Sequence, residues 1–279
     1  MPSGRFGLID GLSTVEAWEL SDAKGADTYV ASNTRGGTVR GGGIRSWSGS
    51  FRGRGTIPPV MPNEVYPFDG YTSPTTGVEG TDGIVYSGNV LVTQISLTWN
   101  WATNLIFAWT AQFQGFPGLT IASATPTLDA SIPPTASACG TSITYGADIE
   151  IPKLTQATLT ITANVSSEAN SSTTSGGECY TSPTPGPIDW TLAMTQEDHL
   201  RGVSGYPDLG SNLELKAYVD ATNFWHLKFG RLLDYSGLQI DRNGQLISRT
   251  INVAMQASDG TSIGKIVKPG ETTPWWGVA

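Results

Sequence analysis

Polar and apolar residues alternate through two neighbouring stretches in the first half of the chain. In "SGNVLVTQISLTWNW" (87–101), Leu91, Ile95, Leu97, Trp99 and Trp101 share one face, and Gln94, Ser96, Thr98 and Asn100 share the other. In "LIFAWTAQF" (105–113), Leu105, Phe107, Trp109 and Phe113 alternate with Ala108, Thr110 and Gln112. A period of two is the signature of a strand with one wet face. Two such runs about the polar break "NWATN" predict an antiparallel hairpin. "IRSWSGSFRGRG" (44–55) has the same alternation, with Trp47, Gly49 and Phe51 on one side. Residues 56–86 are rich in Pro, Gly and Tyr and are expected to form a long loop.

The second half alternates again. "ATLTITANV" (157–165) sets Leu159, Ile161, Ala163 and Val165 against Thr158, Thr160, Thr162 and Asn164. A polar loop is predicted over 166–187, and "IDWTLAMTQED" (188–198) reads as a strand or a short helix. "LELKAYV" (213–219) and "WHLKFGRLL" (225–233) are strand-like, and "DRNG" (241–244) is a turn, because Asn-Gly accepts positive φ angles. "NGQLISRTINVAM" (243–255) superposes on "SGNVLVTQISLTW" (87–99) at one offset. Gly88 falls on Gly244, Ile95 on Ile251, Leu97 on Val253 and Trp99 on Met255. Each copy is followed by a polar turn and a second apolar run, which predicts a duplicated β unit.

The expected organisation is an N-terminal arm (1–43), a first β domain (44–120), a linker (121–147), a second β domain (148–270) and a C-terminal tail (271–279). The arm ends in "RGGTVRGGG", a flexible sequence that would order only against a neighbour. The linker contains "TPTLDASIPPTASACGTS".

Composition agrees with short strands and many turns. Of 279 residues, 34 are Gly and 17 Pro; 38% are hydrophobic and only 14% charged. That mix is too apolar for a disordered chain and too rich in Gly and Pro for a helical one. The net charge of −8 argues against a protein that grips nucleic acid by its phosphates. It leaves room for a surface that DNA touches without being held. No apolar run approaches the roughly 20 residues of a membrane helix. The start of the sequence lacks the apolar centre of a signal peptide, so synthesis and retention in the cytosol, or release without secretion, are expected.

Candidate chemistry is sparse. Two cysteines, Cys139 and Cys179, are either free thiols or a disulfide. With two histidines and no CxxC, no zinc site is expected. His199 and His226 have no nucleophile context, and there is no GxSxG or P-loop. Asp148 and Glu150, two apart in "ADIEIP", would share a strand face, as a solvated pair or as the carboxylates of a hydrolase or calcium site. Trp99, Trp101, Trp109, Trp190 and Trp225 fall on apolar parities and read as core. Trp275 and Trp276, in "TTPWWGVA", read as an exposed anchor for a partner subunit.

"YVASNTRGGTVRGGGIRSWSGSFRGRG" (29–55), followed by "YSGNVLVTQISLTWNWATNLIFAWTAQFQG" (86–115), resembles the tail tube proteins of tailed bacteriophages. That family has a W-S-G-S strand after a Gly-containing approach. A later "G-x-x-x-x-T-x-I" strand then pairs with one ending in "F-x-G". The second half lacks a WSGS equivalent, with "ATLTITANV" in its place. The resemblance implies an all-β fold: two tandem sandwich or barrel domains, each flanked by a short helix. It implies six-fold rings stacked into a hollow tube through which DNA leaves the virion. Two copies per chain would make the ring a trimer with pseudo-six-fold symmetry, and one copy would make it a hexamer.

The implied partners are other copies, other tail proteins and DNA in transit, with no membrane. The expected location is the virion tail, assembled in the host cytoplasm. No enzyme activity, cofactor or metal is expected. Gly41, Gly42, Gly43, Trp275 and Trp276 are the candidate subunit contacts. The rival readings are another tail ring component (baseplate or tail terminator), a carbohydrate- or receptor-binding module using the tryptophans, and a hydrolase built on Asp148 and Glu150.

Overall fold

A computed structural model describes residues 15–30, 37–55, 58, 60–71, 83–103, 107–124, 137–169, 174–175, 177–197, 209–240, 246–256 and 265–272. These residues form strands and turns only; the short helices anticipated above are not found among them. The first half contains β1 (Val15–Lys24), β2 (Asp27–Val30), β3 (Thr38–Gly41), β4 (Arg45–Arg54), β5 (Val65–Tyr71), β6 (Gly83–Asn100), β7 (Ala108–Gly115) and β8 (Thr120–Ala124). Next come β9 (Ile143–Tyr145), β10 (Ile149–Glu150), β11 (Leu154–Ala163), β12 (Ser166–Glu168), β13 (Thr174–Ser175), β14 (Glu178–Cys179) and β15 (Ser182–Thr184). The chain ends with β16 (Ile188–Glu197), β17 (Asn212–Tyr218), β18 (Phe224–Ile240), β19 (Leu246–Met255) and β20 (Lys265–Val267).

Fourteen strands join one antiparallel sheet, in the order β1-β4-β7-β6-β11-β16-β19-β18-β17-β9-β10, with β5 and β8 on β6 and β20 on β18. Alternation decides which face is dry. Trp47 and Phe51 of β4, Trp109 and Phe113 of β7, and Leu97 and Trp99 of β6 are buried, as are Leu159 and Ile161 of β11 and Trp190 and Leu192 of β16. Each large side chain removed from water contributes roughly 1.5–3 kcal/mol. One continuous apolar cluster runs through both halves.

The long strands supply a second layer. The N-terminal half of β6 leaves the β7–β11 neighbourhood and pairs with β5 and β8. Phe68 of β5 then packs at a tilt against Trp47 and Phe113, with ring centroids 5.8 and 5.2 Å apart. In the second half, Leu213 and Leu215 of β17 and Leu232 of β18 line a narrow apolar gap with Met194, Ile251 and Val253. The β17–β18 connection is tied by Asp220, whose carboxylate accepts from Thr222, the Asn223 backbone and the Asn223 side chain.

These bonds, the Asn223 side chain first, hold the Asp220 pKa down from 3.8 to about 2. A depressed carboxylate contributes stability above its unfolded pKa and loses it as pH falls through the folded one. Thermal melts of the native chain are therefore expected to drop between about pH 4 and pH 2 more steeply than those of Asp220→Asn. Parallel curves would remove Asp220 from the acid response.

Several sequence expectations change. Residues 15–24 are not part of an arm: they form β1, paired with β4 along its length. The expected loop over 56–86 contains β5 and the start of β6. The expected linker contributes the end of β8, and Ile143 and Thr144 of β9 are buried against β17. "IDWTLAMTQED" is a strand through Glu197, paired with β11 and β19.

The sheet repeats itself, but not in the register read from the sequence. β1-β4-β7-β6 stand side by side, with β5 and β8 flanking the N-terminal half of β6. β11-β16-β19-β18 stand in the same order, with β17 and β20 flanking the N-terminal half of β18. The counterpart of β6 is thus β18, and that of β19 is β7. Both β6 and β19 are amphipathic, and period two carries no information about neighbours. Two of the irregularities repeat as well, whereas the shifts after Leu213 in β17 and after Ser236 and Gln239 in β18 have no counterpart in β5 or β6. A shift between Val15 and Ala17 in β1 matches one between Leu154 and Gln156 in β11. An extra residue between Val92 and Gln94 in β6 matches one between Leu232 and Asp234 in β18. Trp190 of "IDWTLAM" is the counterpart of Trp47 in "RSWSGSF", so β16, not "ATLTITANV", takes the place of the WSGS strand.

Candidate functional site: sheet edges and an uncovered polar face

The other face of the eight-strand run β1 to β18 is polar. One row across it reads Ala17, Arg52, Thr110, Ser96, Thr160, Thr191, Ala254 and Arg231, each residue opposite the next. The adjoining row holds Glu19, Ser50, Gln112, Gln94, Thr162 and Asp189. Apart from small alanines and the exposed Leu233, the extra residue of β18, the neutral positions carry hydroxyls and amides. Facing hydroxyls of Ser96 and Thr160, and of Thr98 and Thr158, stand 3.5 Å apart. Charges on this parity are few and mixed: Arg52, Arg54 and Arg231 against Glu16, Glu19, Asp189, Asp234 and Glu197. Arg54 is bonded to Glu16. The result is a broad, half-exposed to exposed surface that is hydrophilic and only slightly acidic.

At one end, β1 is an edge: among the described residues, β4 is the only strand paired with it. An open edge is a template for another strand. Between the repeats that edge is used, because β11 pairs with β6 from Gln156 opposite Asn100 to Thr162 opposite Gln94.

Each repeat also carries an insertion between its first and second strands. In the first it is the β2–β3 hairpin, whose strands pair only with each other among the described residues. Val30 on it is 62% exposed, and Thr38 and Arg40 are exposed. In the second it is segment 164–187. The two necks match. Gly25 N–H donates to the Ile44 carbonyl at 3.0 Å, and Asn164 N–H donates to the Pro187 carbonyl at 2.9 Å. A Cβ on Gly43 would lie 1.6 Å from the Gly25 oxygen, and one on Gly186 would lie 1.7 Å from the Asn164 oxygen.

The described residues of segment 164–187 (164–169, 174–175 and 177–187) reach onto the first repeat. Glu178 takes Lys24 at 2.8 Å and Arg45 at 2.9 Å, and Arg45 also binds Asp22. Arg45 sits 5.5 Å from the centre of the buried Tyr180 ring and donates to its hydroxyl. Asp22 first, then Glu178, push the Arg45 pKa up, while Lys24 and then Arg45 hold the Glu178 carboxyl down. Gln114 donates to Ser167, and Asn63 exchanges hydrogen bonds with both backbone groups of Gly186.

The candidate residues from the sequence are scattered. Gly41 ends β3, opposite Asp27; Gly42 and Gly43 have positive φ and form the neck of the hairpin. Trp275, Trp276 and His199 lie outside the described residues. His226 is bonded to Glu214 and packs edge-on to Phe224; burial pushes its pKa down, against the pull of the carboxylate. Asp148 is engaged by Lys216 at 2.7 Å, and no group of three or more metal-ligating side chains occurs among the described residues. Cys139 and Cys179 are exposed and not joined by a disulfide. Trp47, Trp99, Trp109, Trp190 and Trp225 are core, whereas Trp18 and Trp101 are half-buried.

The Arg45 cluster and the insertion docking were missed in the sequence. The usable signals were Gly186 and Trp190, which repeat Gly43 and Trp47. No protein-family model matches the chain, and no curated protein matches it.

Proposed function

We propose that the chain is a structural ring subunit, in the manner of a phage tail tube protein, and has no catalytic role. The observation that carries this reading is the doubled strand arrangement, in which the last strand of one repeat accepts the first strand of the next. A contact between two different edges is heterologous, and repeating it between chains closes a ring or runs into a filament. Three such chains give a ring with pseudo-six-fold symmetry. The hydroxyl- and amide-rich face is continuous across the joint between repeats, so it would line the ring. It offers DNA no cationic stripe to bind and no strong field to resist passage.

Electron microscopy of the purified full chain, with mass measurement across a range of concentrations, tests this. Rings with a central channel are expected, stacking into tubes. Single rings that never stack would move the reading to a baseplate ring or tail terminator. A monomer that persists at high concentration would end it.

A further inference from the structure

The internal joint serves as a pattern for the joint between chains, an inference that rests on the ring reading and specifies its contact. We infer that a second copy of this chain docks through β1 and the β2–β3 hairpin. β1 adds antiparallel to the C-terminal half of the neighbour's β18, in the register in which β11 adds to β6. The hairpin then lies over the neighbour's second repeat, as segment 164–187 lies over the first.

Three matches support the assignment. First, β1 and β11 share their pairing to the next strand residue for residue, including the irregularity near the start. The edge of β11 that takes β6 is therefore the edge that β1 presents. Second, β6 and β18 carry the same extra residue after Val92 and Leu232 and keep one register as far as Ser236, beyond which β18 has two further shifts that β6 lacks; and β17 stays paired to β18 only as far as Arg231, just as β5 stays paired to β6 as far as Leu91. On β6, the stretch beyond that point is where β11 sits. Third, the two insertions leave the sheet through the same glycine-pinched neck, yet only the second lies across a described surface.

Carrying the repeat equivalence through the pairing places Ala23 opposite Asp234 and Ser21 opposite Ser236 of the neighbour. Their internal counterparts are Thr162 opposite Gln94 and Thr160 opposite Ser96. Ser21 and Ser236 are both exposed. On the neighbour, the hairpin would reach the end of the sheet around Ala163, Ile188 and Ala254, the counterparts of Lys24, Arg45 and Gln114.

The test is a full-length Ser21→Cys/Ser236→Cys chain with Cys139→Ser and Cys179→Ser. Directly opposed residues on antiparallel strands have Cβ atoms about 4.5–5.5 Å apart, close enough for a disulfide with slight adjustment. Mild oxidation of assembled protein is expected to give a non-reducing gel ladder that ends at a closed trimer, with most of the chain crosslinked. The Ser21→Cys/Asn252→Cys control places the second thiol one strand further in and should remain uncrosslinked. Rings that form normally but never crosslink at 21/236 would overturn this joint and leave the ring reading standing. Failure of the unmodified chain to assemble at all would overturn both. Replacing 26–42 by a short Gly-Ser turn is expected to keep the β-sheet circular dichroism and abolish assembly. Unchanged assembly of that variant would remove the hairpin from the contact.

Discussion

Trp47→Ala is expected to cost about 3–5 kcal/mol in a urea unfolding series, the range for emptying a buried aromatic site. Trp47 is 1% exposed and is touched by Phe68 and Phe113. Its pocket is built by absence: a Cβ on Gly115 would lie 1.9 Å from the indole, and one on Gly88 would lie 2.7 Å away. Two glycines therefore leave a space that only a large flat ring fills, and neither neighbour has a side chain that can collapse into it.

The phenylalanine variants separate Trp47 from its counterpart. The Trp47 indole N–H donates to the Phe116 carbonyl at 2.7 Å, so Trp47→Phe orphans an acceptor and adds about 1–3 kcal/mol to the packing loss. The Trp190 indole N–H is buried with no hydrogen-bond partner among the described residues. Trp190→Phe removes an unsatisfied donor, and its loss should be the smaller of the two. Equal midpoints for the two variants would show that the Phe116 bond contributes nothing.

The faces of the strands were legible in the sequence, and the map of the strands was not. Alternation assigned Trp47, Phe51, Leu97, Trp99, Trp109 and Phe113 to the dry side, because each lies on a strand with one wet face. It failed where that premise fails. β5, "VYPFDGY", looks like a loop because Pro67 and Gly70 interrupt it. Both are tolerated because β5 pairs only with β6 among the described residues, so its proline need not donate to a second neighbour. β1 hides because Asp22 and Lys24 occupy the parity of Trp18 and Leu20. Those two charges lie beyond the end of the core, where Arg45 and Glu178 take them up.

The repeated strand order was not legible in the register read from the sequence. Superposing "SGNVLVTQISLTW" on "NGQLISRTINVAM" matched two greasy ribbons of equal parity that occupy different slots, third and fourth in their repeats. The better signals were rarer than parity: a tryptophan in the same place of two strands, and a glycine just before each. The Arg45 cluster had no local signal at all, since Glu178 lies 133 residues from Arg45 and 154 from Lys24. Long-range pairing of this kind follows from strand order, and strand order depends on which edges find each other.

Those two glycines lead to the second large effect. Gly43→Ala and Gly186→Ala are each expected to lower stability by about 2–3 kcal/mol, at the upper end for overpacking. In both cases the obstacle is a backbone carbonyl, at 1.6 and 1.7 Å, so no rotamer change relieves it. The neck must open, and the Gly25–Ile44 or Asn164–Pro187 hydrogen bond opens with it. Gly186→Ala should also break the exchange with Asn63, loosen Glu178 from Lys24 and Arg45, and speed proteolysis within 164–187. Gly43→Ala should leave the sheet intact and misdirect the β2–β3 hairpin, so its assembly defect should exceed its loss in melting temperature.

Gly42→Ala is the control that isolates the cause. Gly42 has a φ of +66° with nothing within 4 Å of a would-be Cβ, so it carries only the left-handed backbone cost of about 1–2 kcal/mol. If Gly42→Ala and Gly43→Ala melt and assemble alike, close approach at the neck is not what aims the hairpin. The match between the two insertions would then be one of sequence alone. If Gly43→Ala assembles worse and Gly186→Ala is cleaved faster than their controls, the same pinch holds both insertions. That outcome would support the proposed contact of the first insertion with another chain.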